Sequence, residues 1–421
     1  MVENSSTAAI AEVAVSGFKS FRTEQRIAIR PLTLLAGANN SGKSSIVQPL
    51  LLMKQTFEAE FNPGALLLDG PNVRFTKLEQ LLWHGPPGDT ASRFAVELAL
   101  EDGRRVRTVF GPGEHPLPVQ VLETRWESRD GVVALRVPAP PEQYQEIEQR
   151  FGVTEFFSEP CFVWAGSRRD AEQRRVVPQD SSDFVQPLIG VIHVSGNRGA
   201  PKLSYPLTGV ARERFPGVFE PYVATFLLIW QHQRAFEESE RLAEALRSVC
   251  QVGSVRANRV SDTSLELLVS QLPDYSDREV NIAHAGLGVS QVLPVIVGLE
   301  AASPQQLLYL EQPELHLHPR AQASLAPLLA RAAQRGVRVV AETHSSHLLL
   351  GIQSLVAAGK LDPQLVKLHW FSRDETGQTN ITSADLDEYG RFGDWPEDFG
   401  DVELKAESRY LDAVEARHAK K

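Results

Sequence analysis

Short apolar runs between polar or glycine-rich segments recur along the chain and predict strands, because four to eight apolar residues between turn signals are typical of buried β-structure. Two pairs of runs flank Asp-Gly dipeptides, which predicts two hairpins. The runs lie at 10–15, 27–29, 31–36, 94–101, 105–110, 119–126, 132–137, 256–271, 307–310, 337–341, 367–372 and 379–383. The last two are expected to be the closing strands of a sheet.

Helical patterns separate many of these runs. The spacing predicts helices over 45–55, 141–150 and 291–299, and one long helix or a broken pair over 217–250. No heptad pattern is sustained over many turns, so the middle of the chain is not expected to form a long coiled-coil arm. The polar, charged segment 170–183 is expected to be a mobile loop.

Composition is that of an ordinary globular protein, with 42% hydrophobic and 23% charged residues over 421 positions. That length allows about two to three domains. The net charge of −10 argues against coating nucleic acid by bulk charge, although a local basic patch remains compatible with it. The two cysteines, Cys161 and Cys250, exclude a disulfide framework and suit a reducing cytoplasm. No apolar run is long enough for a membrane span and no targeting signal opens the chain, so we expect a cytoplasmic location and no membrane partner.

The segment from Gly37 to Ser45 fills every position of the phosphate-loop pattern G-x-x-x-x-G-K-[ST], between a predicted strand and a predicted helix. Glycines let consecutive backbone N–H groups point at phosphate oxygens, and the helix N-terminus adds partial positive charge. Lys43 can reach the β- and γ-phosphates, and the Ser44 hydroxyl can ligate Mg²⁺. The predicted nucleotide-binding residues are Gly37, Asn39, Asn40, Ser41, Gly42, Lys43, Ser44 and Ser45.

Three further stretches carry candidate chemistry. Glu311 ends an apolar strand, where a phosphate-loop protein is expected to place its second Mg²⁺ ligand, so the predicted metal residues are Ser44 and Glu311. Another apolar strand ends in Glu342-Thr343-His344, where ligands sit in parallel sheets. A glycine- and serine-containing helix start, 286–291, can bind anions through its free N–H groups.

Four features follow one another along the chain in the order found in ABC-type ATPases of the SMC/RecF/OLD kind, which this sequence resembles. They are the phosphate loop, the helix start with glycine and serine, the strand that ends in a glutamate and the strand that ends in Thr-His. The strings Glu311–Pro319 and Glu342–Ser345 look like a stand-alone subset of that clan, many of whose members occur in bacterial anti-phage systems of the Septu-like type. The resemblance covers 8–57 and 281–385, with looser matches at 192–199 and 393–399.

The resemblance implies an α/β fold, an ABC-type P-loop ATPase head with a mixed sheet, flanking helices and an α+β insertion between the two ATPase halves. The implied divisions are 1–57 for the N-terminal half, 58–280 for an insertion that partly completes the head, 281–385 for the C-terminal half and 386–421 for an acidic tail. ATP and Mg²⁺ are the implied cofactors.

Site roles also follow from the resemblance. Leu287–Gln291, with Gly288, Ser290 and Gln291, stands at the signature motif, which reaches the γ-phosphate bound by the other subunit. Glu311 takes the Walker B acid position, Leu315–His318 the D-loop position and His344 the switch-histidine position. The Q-loop glutamine is not placed; Gln48 and Gln55 are its candidates.

The sequence departs from the hydrolytic pattern at Gln312, where such ATPases typically carry a glutamate as general base. A glutamine amide can hold the attacking water but cannot accept its proton. Three outcomes stay open: hydrolysis is very slow and ATP acts as a ligand, Glu314 or Glu342 substitutes as base, or His344 suffices. The catalytic candidates are therefore Gln312, Glu314 and His344, and neutral drift in a competent site is the alternative.

From the resemblance we expect an ATP-gated dimerising switch of an anti-phage complex, which pairs head-to-tail with itself and controls a separate effector such as an HNH-type nuclease or a toxin. Only about 75 residues follow His344, too few for the TOPRIM nuclease domain of OLD proteins. The alternatives are a RecF-like ATPase of DNA repair or maintenance, for which DNA is the partner, and a transporter ATPase. Arginines in the middle of the chain indicate a solvated surface or a nucleic-acid face; they are Arg168, Arg169, Arg174, Arg175, Arg198, Arg212, Arg214, Arg256 and Arg259.

Two other groupings have less specific interpretations. The histidines His316, His318, His344 and His347 suit D-loop and switch roles better than a zinc cluster. The carboxylates Asp385, Asp387, Glu388, Asp394 and Asp398 are expected to form an acidic surface rather than a nuclease metal site.

Overall fold

The structure is a computed structural model. It describes residues 8–114, 117–129, 131–151, 155–166, 176–177, 182–210, 214–233, 235–270, 279–393, 408–412 and 417. Most of the predicted mobile loop at 170–183 lies outside these residues. So do five of the arginines and two of the carboxylates named above, which are Arg168, Arg169, Arg174, Arg175, Arg212, Asp394 and Asp398.

Nineteen strands are assigned in the described part of the chain. They are β1 Ile10–Ser16, β2 Gln25–Ala28, β3 Leu32–Gly37, β4 Phe94–Leu100, β5 Arg105–Pro112, β6 Val119–Ser128, β7 Gly131–Arg136, β8 Glu155–Glu159, β9 Phe162–Gly166, β10 Val176–Val177, β11 Ile192–Val194, β12 Tyr205–Pro206, β13 Ser254–Arg259, β14 Ser264–Ser270, β15 Glu279–Asn281, β16 Leu307–Glu311, β17 Arg338–Thr343, β18 Val366–Arg373 and β19 Thr379–Ala384. Eight α-helices accompany them: α1 Lys43–Phe57, α2 Pro141–Phe151, α3 Ser182–Ile189, α4 Val223–Gln233, α5 Phe236–Cys250, α6 Leu287–Ala301, α7 Pro319–Gln334 and α8 Ser346–Ala357.

A six-stranded sheet in the order β11-β16-β17-β3-β18-β19 forms the centre of the molecule. Its first five strands run parallel and β19 is antiparallel to β18. Every residue of β3 is buried, as expected for a parallel strand covered on both faces. One face packs on α4–α8 and the other on α1 and the second sheet. The carboxyl ends of β3, β16 and β17 therefore meet at one edge.

The second sheet is antiparallel, in the order β2-β1-β4-β5-β6-β7. It contains both predicted hairpins, β4–β5 and β6–β7, so those predictions are confirmed. A smaller sheet joins β12, β14 and β13, with β15 paired to β14. The strand predicted over 256–271 is wrong in extent: it is two antiparallel strands, β13 and β14, because 260–263 turns the chain back.

The α/β class with a mixed sheet and flanking helices is confirmed. The pattern over 217–250 is a broken pair, α4 and α5, rather than one helix. Strand β11, from the segment 58–280, lies at the edge of the central sheet beside β16. None of the described helices combines the length and the apolar character that a bilayer crossing needs.

The far end of α1 carries an ion pair inside the protein. The side chain of Lys54 is fully buried, and it contacts Glu58 and donates to the backbone carbonyls of Phe215 at 2.9 Å and Gly217 at 3.4 Å. Glu58 in turn accepts from the N–H of Gly217 at 3.1 Å. Burial lowers the pKa of Lys54 and raises the pKa of Glu58, so both partners pay for desolvation. This pair joins the phosphate-loop helix to the segment before α4.

Candidate nucleotide-binding site

The phosphate loop follows β3 and leads directly into α1. Gly37 has φ 147° and Gly42 has φ 101°, both in the region that favours glycine. A Cβ at Gly37 would lie 2.3 Å from the carbonyl oxygen of Phe371, and one at Gly42 would lie 2.6 Å from Thr379 Oγ1. Both positions therefore require glycine. Thr379 also donates to the carbonyl of Ser41 at 2.8 Å, so β19 supports the loop from behind.

Lys43 is buried in the loop. Its Nζ donates to the carbonyls of Gly37 at 3.0 Å and Ala38 at 2.8 Å. Burial lowers its pKa to about 8. Burial and the nearby Lys43 charge lower the pKa of His344 against the opposing effect of the Gly37 backbone, which keeps the imidazole neutral at pH 7. The predicted lysine and the predicted switch histidine thus meet at one loop.

The hydroxyl of Ser44 donates to Glu342 Oε2 at 2.8 Å. The Tyr309 hydroxyl donates to the other oxygen of the same carboxylate. Glu342 is 2% exposed, and burial raises its pKa to about 7. The sequence offered Glu342 only as a substitute base. Its contact with Ser44 follows from β17 lying between β16 and β3, a pairing that the local sequence does not reveal.

Relative to Glu342→Gln, the unfolding free energy of the nucleotide-free wild type is expected to fall as pH rises from about 4.5 to about 7; the comparison with this variant cancels the opposite contribution of the buried His369, whose pKa is lowered to about 4. Over this window the folded Glu342 binds a proton that the unfolded chain releases, so this group destabilises the fold as pH increases. With a folded pKa of about 7 against an ordinary 4.5, its contribution is roughly 3 kcal/mol. Chemical denaturation across pH should show this difference in slope between the wild type and Glu342→Gln. The exposed control Glu375→Gln should keep the wild-type slope, and a Glu342→Gln protein with the same slope as the wild type contradicts the argument.

Glu311 points toward a different set of partners. His193 Nε2 lies 3.1 Å from its Oε1, and the N–H of Gly196 donates to its Oε2 at 2.8 Å. Asn72 Nδ2 lies 3.1 Å from His193 Nδ1, an arrangement that leaves the Nε2 proton for Glu311. Burial raises the pKa of Glu311, but the hydrogen bonds from His193 and from the N–H of Gly196, together with the nearby charge of Arg198, outweigh it and the net pKa is lowered. Glu311 is therefore ionised beside Glu342, its partner in the β16–β17 register.

Oxygen donors of the kind that Mg²⁺ prefers meet at this edge of the sheet. They are the Ser44 hydroxyl and the Glu342 carboxylate, with Glu311 on the adjacent strand. Within the described ranges no three His, Cys, Asp or Glu side chains are grouped as a protein-only metal cluster. A site with few protein ligands suits Mg²⁺, which usually binds through one or two carboxylates and substrate phosphates. The assignment of Ser44 and Glu311 as metal residues stays a prediction, to which the geometry adds Glu342.

Gln312 and Glu314 lie just after β16 in different surroundings. Gln312 is left-handed, with φ 43°, and its N–H donates to the carbonyl of Glu342 at 3.1 Å. Glu314 is buried and accepts from Thr343 Oγ1 at 2.9 Å and from the N–H of His344 at 2.7 Å. Burial raises its pKa. Glu314 thus holds the backbone of His344 in place.

The signature-like segment opens α6. Ser290 Oγ donates to the Leu287 carbonyl at 2.8 Å, and the buried Gln291 amide donates to the Gly199 carbonyl at 2.8 Å. A Cβ at Gly288 would lie 3.7 Å from the His316 carbonyl. This segment borders a cleft of about 540 Å³, whose walls are Gly196, Asn197, Arg198, Gly199, Ala200, Leu287, Gln291, Gln312, Leu315 and His316. No residue of the phosphate loop is among these walls.

The remaining candidates are placed as follows. Asn39 and Asn40 are exposed at the tip of the phosphate loop, and Ser45 is half-buried in the first turn of α1. The Gln55 side-chain amide donates to the carbonyls of Leu67 and Val73 and accepts from the N–H groups of Asn72 and Val73, so it is not free to reach a nucleotide. Gln48 accepts from Lys19. His318 caps α7 by accepting from the N–H of Arg320 at 3.3 Å.

Sequence reasoning also placed Arg198 on a surface, together with the other arginines. Its Nη2 donates instead to the carbonyls of Glu311 at 2.6 Å and Gln312 at 3.0 Å. The looser family match at 192–199 was the signal that could have found it. By contrast, Arg256 pairs with Glu279 and Arg259 with Asp262 at the surface.

Family models match three parts of the chain. A model described as an AAA ATPase domain matches residues 9–95. A second, an AAA domain whose description names the AbiEii toxin and a type IV TA system, matches residues 207–350. A third model, described as a protein of unknown function (DUF3696), matches residues 361–405. No curated protein matches the chain.

Similar solved structures are SMC heads. The Smc head domain with an extended coiled coil, bound to the C-terminal domain of ScpA and derived from Pyrococcus furiosus, has a TM-score of 0.51 at 12% identity, over 97% of this chain and 99% of that one. An SmcHead bound to the C-winged helix domain of ScpA has a TM-score of 0.48 at 14% identity, over 90% and 98%. The SMC head domain from Thermotoga maritima has a TM-score of 0.40 at 12% identity, over 89% and 98%. The first of these shows that the chain has the fold of an SMC head, and AAA ATPase family models match two separate parts of the chain, 9–95 and 207–350.

Proposed function

We propose that the chain binds ATP with Mg²⁺ on its phosphate loop and that bound ATP joins two copies head-to-tail. One observation carries this: the signature-like segment lines a cleft to which the phosphate loop of the same chain contributes no wall. A second copy can bring its own Leu287–Gln291 segment to the loop. Because ATP would then bind the paired state better than the separate state, it would drive pairing by mass action.

The roles of the chain's own residues follow from their positions. Lys43 would exchange its loop carbonyls for phosphate oxygens, since an ammonium prefers charged acceptors. Ser44 and Glu342, with Glu311 beside them, would hold Mg²⁺, which supplies positive charge to the β- and γ-phosphates. His344 is neutral and lies next to Gly37, where it would contact the γ-phosphate. Glu314 binds the backbone N–H of His344, so this contact would be transmitted to the end of β17.

We infer slow turnover, because Gln312 stands where a general base is expected and an amide accepts no proton. Phosphate release is therefore expected to rise by roughly 100-fold in Gln312→Glu, the lower end of the range of about 10²- to 10⁴-fold that a positioned general base contributes. Single-turnover measurement with excess protein tests this. Gln312→Ala is the matched control and should not exceed the wild type, and the double variant Lys43→Ala/Gln312→Glu sets the background.

A brisk wild-type rate that Gln312→Glu leaves unchanged contradicts slow turnover. Glu314 or Glu342 would then be the base, or His344 would suffice. The contacts of the two glutamates argue against them, because Glu314 accepts two hydrogen bonds from 343–344 and Glu342 accepts from Ser44 and Tyr309.

At the level of the cell, we propose a switch in a defence complex that controls a separate effector, such as a nuclease or a toxin. The family model over 207–350, whose description names a toxin and a type IV TA system, supports an effector partner. The test is co-expression with the product of the adjacent gene, followed by its cleavage or toxicity assay with and without ATP. An adjacent repair gene would favour the RecF-like alternative.

The RecF-like alternative predicts direct, salt-sensitive DNA binding by the isolated protein. The pairing of Arg256 with Glu279 and of Arg259 with Asp262 weighs against those two arginines as phosphate contacts.

We also propose the domain divisions at 57, 280 and 385. Strand β11 supports an insertion that partly completes the head.

A further inference from the structure

Arg198 reaches the nucleotide site from the loop between β11 and β12. Its guanidinium Nη2 donates to two consecutive carbonyls, those of Glu311 at 2.6 Å and Gln312 at 3.0 Å. The two residues are more than 110 positions away in sequence, since the second bond spans 114 positions. The contact therefore depends on the tertiary fold.

The peptide that Arg198 holds is strained. Gln312 has φ 43°, and a left-handed conformation costs a residue with a Cβ roughly 1–2 kcal/mol. Such a conformation persists only where neighbours determine it. The Gln312 N–H is fixed by the Glu342 carbonyl, and its carbonyl accepts from both Arg198 and the N–H of Leu315.

The loop that carries Arg198 is itself anchored on both sides. The N–H of Gly196 donates to the Glu311 carboxylate at 2.8 Å, and the carbonyl of Gly199 accepts from the signature-segment amide of Gln291 at 2.8 Å. Ser195 donates through its N–H and its hydroxyl to Glu220, at 2.8 and 2.9 Å. Arg198 thus sits between the signature segment and the carbonyl of Gln312.

The Arg198 guanidinium is also buried beyond the one nitrogen that donates to the carbonyls of Glu311 and Gln312. Its Nε and Nη1 are buried and have no hydrogen-bond partner among the described atoms. Burial lowers its pKa, while the charges of Glu220, Glu314 and Glu311 oppose that shift. A desolvated cation next to the Gln312 peptide adds a charge to the site in addition to two hydrogen bonds.

We infer that Arg198 is a positioning residue of the ATPase site, which sets the left-handed turn at Gln312 and thereby directs that side chain into the cleft beside the signature segment. The inference rests on the proposed function, because it assigns Gln312 the task of holding the attacking water. It adds a residue from the 192–199 segment to a site otherwise built from the phosphate loop and the ends of β16 and β17.

The experiment uses the Gln312→Glu protein, whose carboxylate gives a measurable rate and a pH profile. Adding Arg198→Met is expected to lower kcat for phosphate release at least 10-fold, with KM within about twofold, since no contact joins Arg198 to the phosphate loop in the described residues. It should also move the acid limb of the kcat profile upward by about half a pH unit, because a nearby cation favours the ionised carboxylate.

Arg198→Lys separates the two effects. It keeps the charge, but its ammonium nitrogen ends closer to the backbone than Nη2 does and cannot bind both carbonyls in the same geometry, so kcat should fall while the acid limb stays in place. Arg335→Met is the matched control, because Arg335 also donates to a backbone carbonyl, that of Leu299. Leu299 lies 12 residues, about 18 Å, along α6 from Leu287. This control should change neither kcat nor the limb.

A second measurement does not need turnover. Gln312→Gly removes the strain that Arg198 is inferred to hold, so the drop in Tm caused by Arg198→Met should be smaller in the glycine background than in the wild type. The role of Arg198 is overturned if Arg198→Met lowers Tm equally in the wild-type and glycine backgrounds. It is also overturned if adding Arg198→Met to Gln312→Glu leaves both kcat and the acid limb unchanged. A wild type that binds no ATP overturns the proposed function instead, and the Tm comparison still decides the inference.

Discussion

Lys43→Ala is expected to lose at least about 100-fold in affinity for ATP. Lys43 is the cation of the phosphate loop, and a hydrogen bond to a charged group contributes about 1.5–3 kcal/mol, so losing two such bonds to phosphate exceeds the 2.7 kcal/mol that corresponds to 100-fold. Equilibrium binding of a fluorescent ATP analogue with Mg²⁺ measures the loss. Lys360→Ala, which removes an exposed lysine, is the matched control and should bind as the wild type does.

The same variant tests assembly. With ATP and Mg²⁺ the wild type is expected to sediment as a larger species than without nucleotide, and Lys43→Ala is expected to show one species under both conditions. Lys43 also bonds Gly37 and Ala38 within the loop, so thermal unfolding of the variant must confirm that it folds. If the wild type neither retains nucleotide nor changes size with it, the proposed function is wrong.

Lys54→Met is expected to destabilise the protein by about 3–5 kcal/mol, the cost of leaving one member of a buried ion pair without its partner. The substitution strands the Glu58 carboxylate and removes the donor to the carbonyls of Phe215 and Gly217. The midpoint of urea unfolding should fall accordingly. ATP affinity, measured well below that midpoint, should change little, because Lys54 lies three turns along α1 from Lys43.

Two controls interpret that loss. Arg74 and Asp69 form an ion pair whose side chains are 81% and 75% exposed, so Arg74→Met should cost less than about 1 kcal/mol. Lys54→Met/Glu58→Gln removes the stranded charge and keeps an acceptor for the Gly217 N–H, so it should recover part of the stability. A Lys54→Met protein as stable as Arg74→Met would show that the buried pair contributes nothing net.

The elements that the sequence predicts well are those with local signals. The phosphate loop is a contiguous pattern between an apolar strand and a helix, and β3, β16 and β17 are short, predominantly apolar runs. The turn at 260–263 had a local signal that the prediction of one strand over 256–271 overlooked, because 261–264 are four consecutive polar residues.

The site residues that were missed depend on strand order and long-range contact. Glu342 meets Ser44 because β17 pairs with both β16 and β3, a neighbour relation that no local pattern encodes. Arg198 contacts a carbonyl 113 positions away. In the same way, Gln55 has the residue type of a Q-loop glutamine, but its surroundings bind its amide completely.

The central position of β3 has a consequence for biosynthesis. Both neighbours of β3, β17 and β18, begin at Arg338 or later, about 300 residues after β3 ends at Gly37. At roughly 5–20 residues per second, the ribosome takes about 15–60 s to supply the first of them. During this time β3 is an apolar strand with two unpaired edges, and unpaired strand edges promote aggregation. We expect the nascent chain to depend on chaperones until its C-terminal third has emerged.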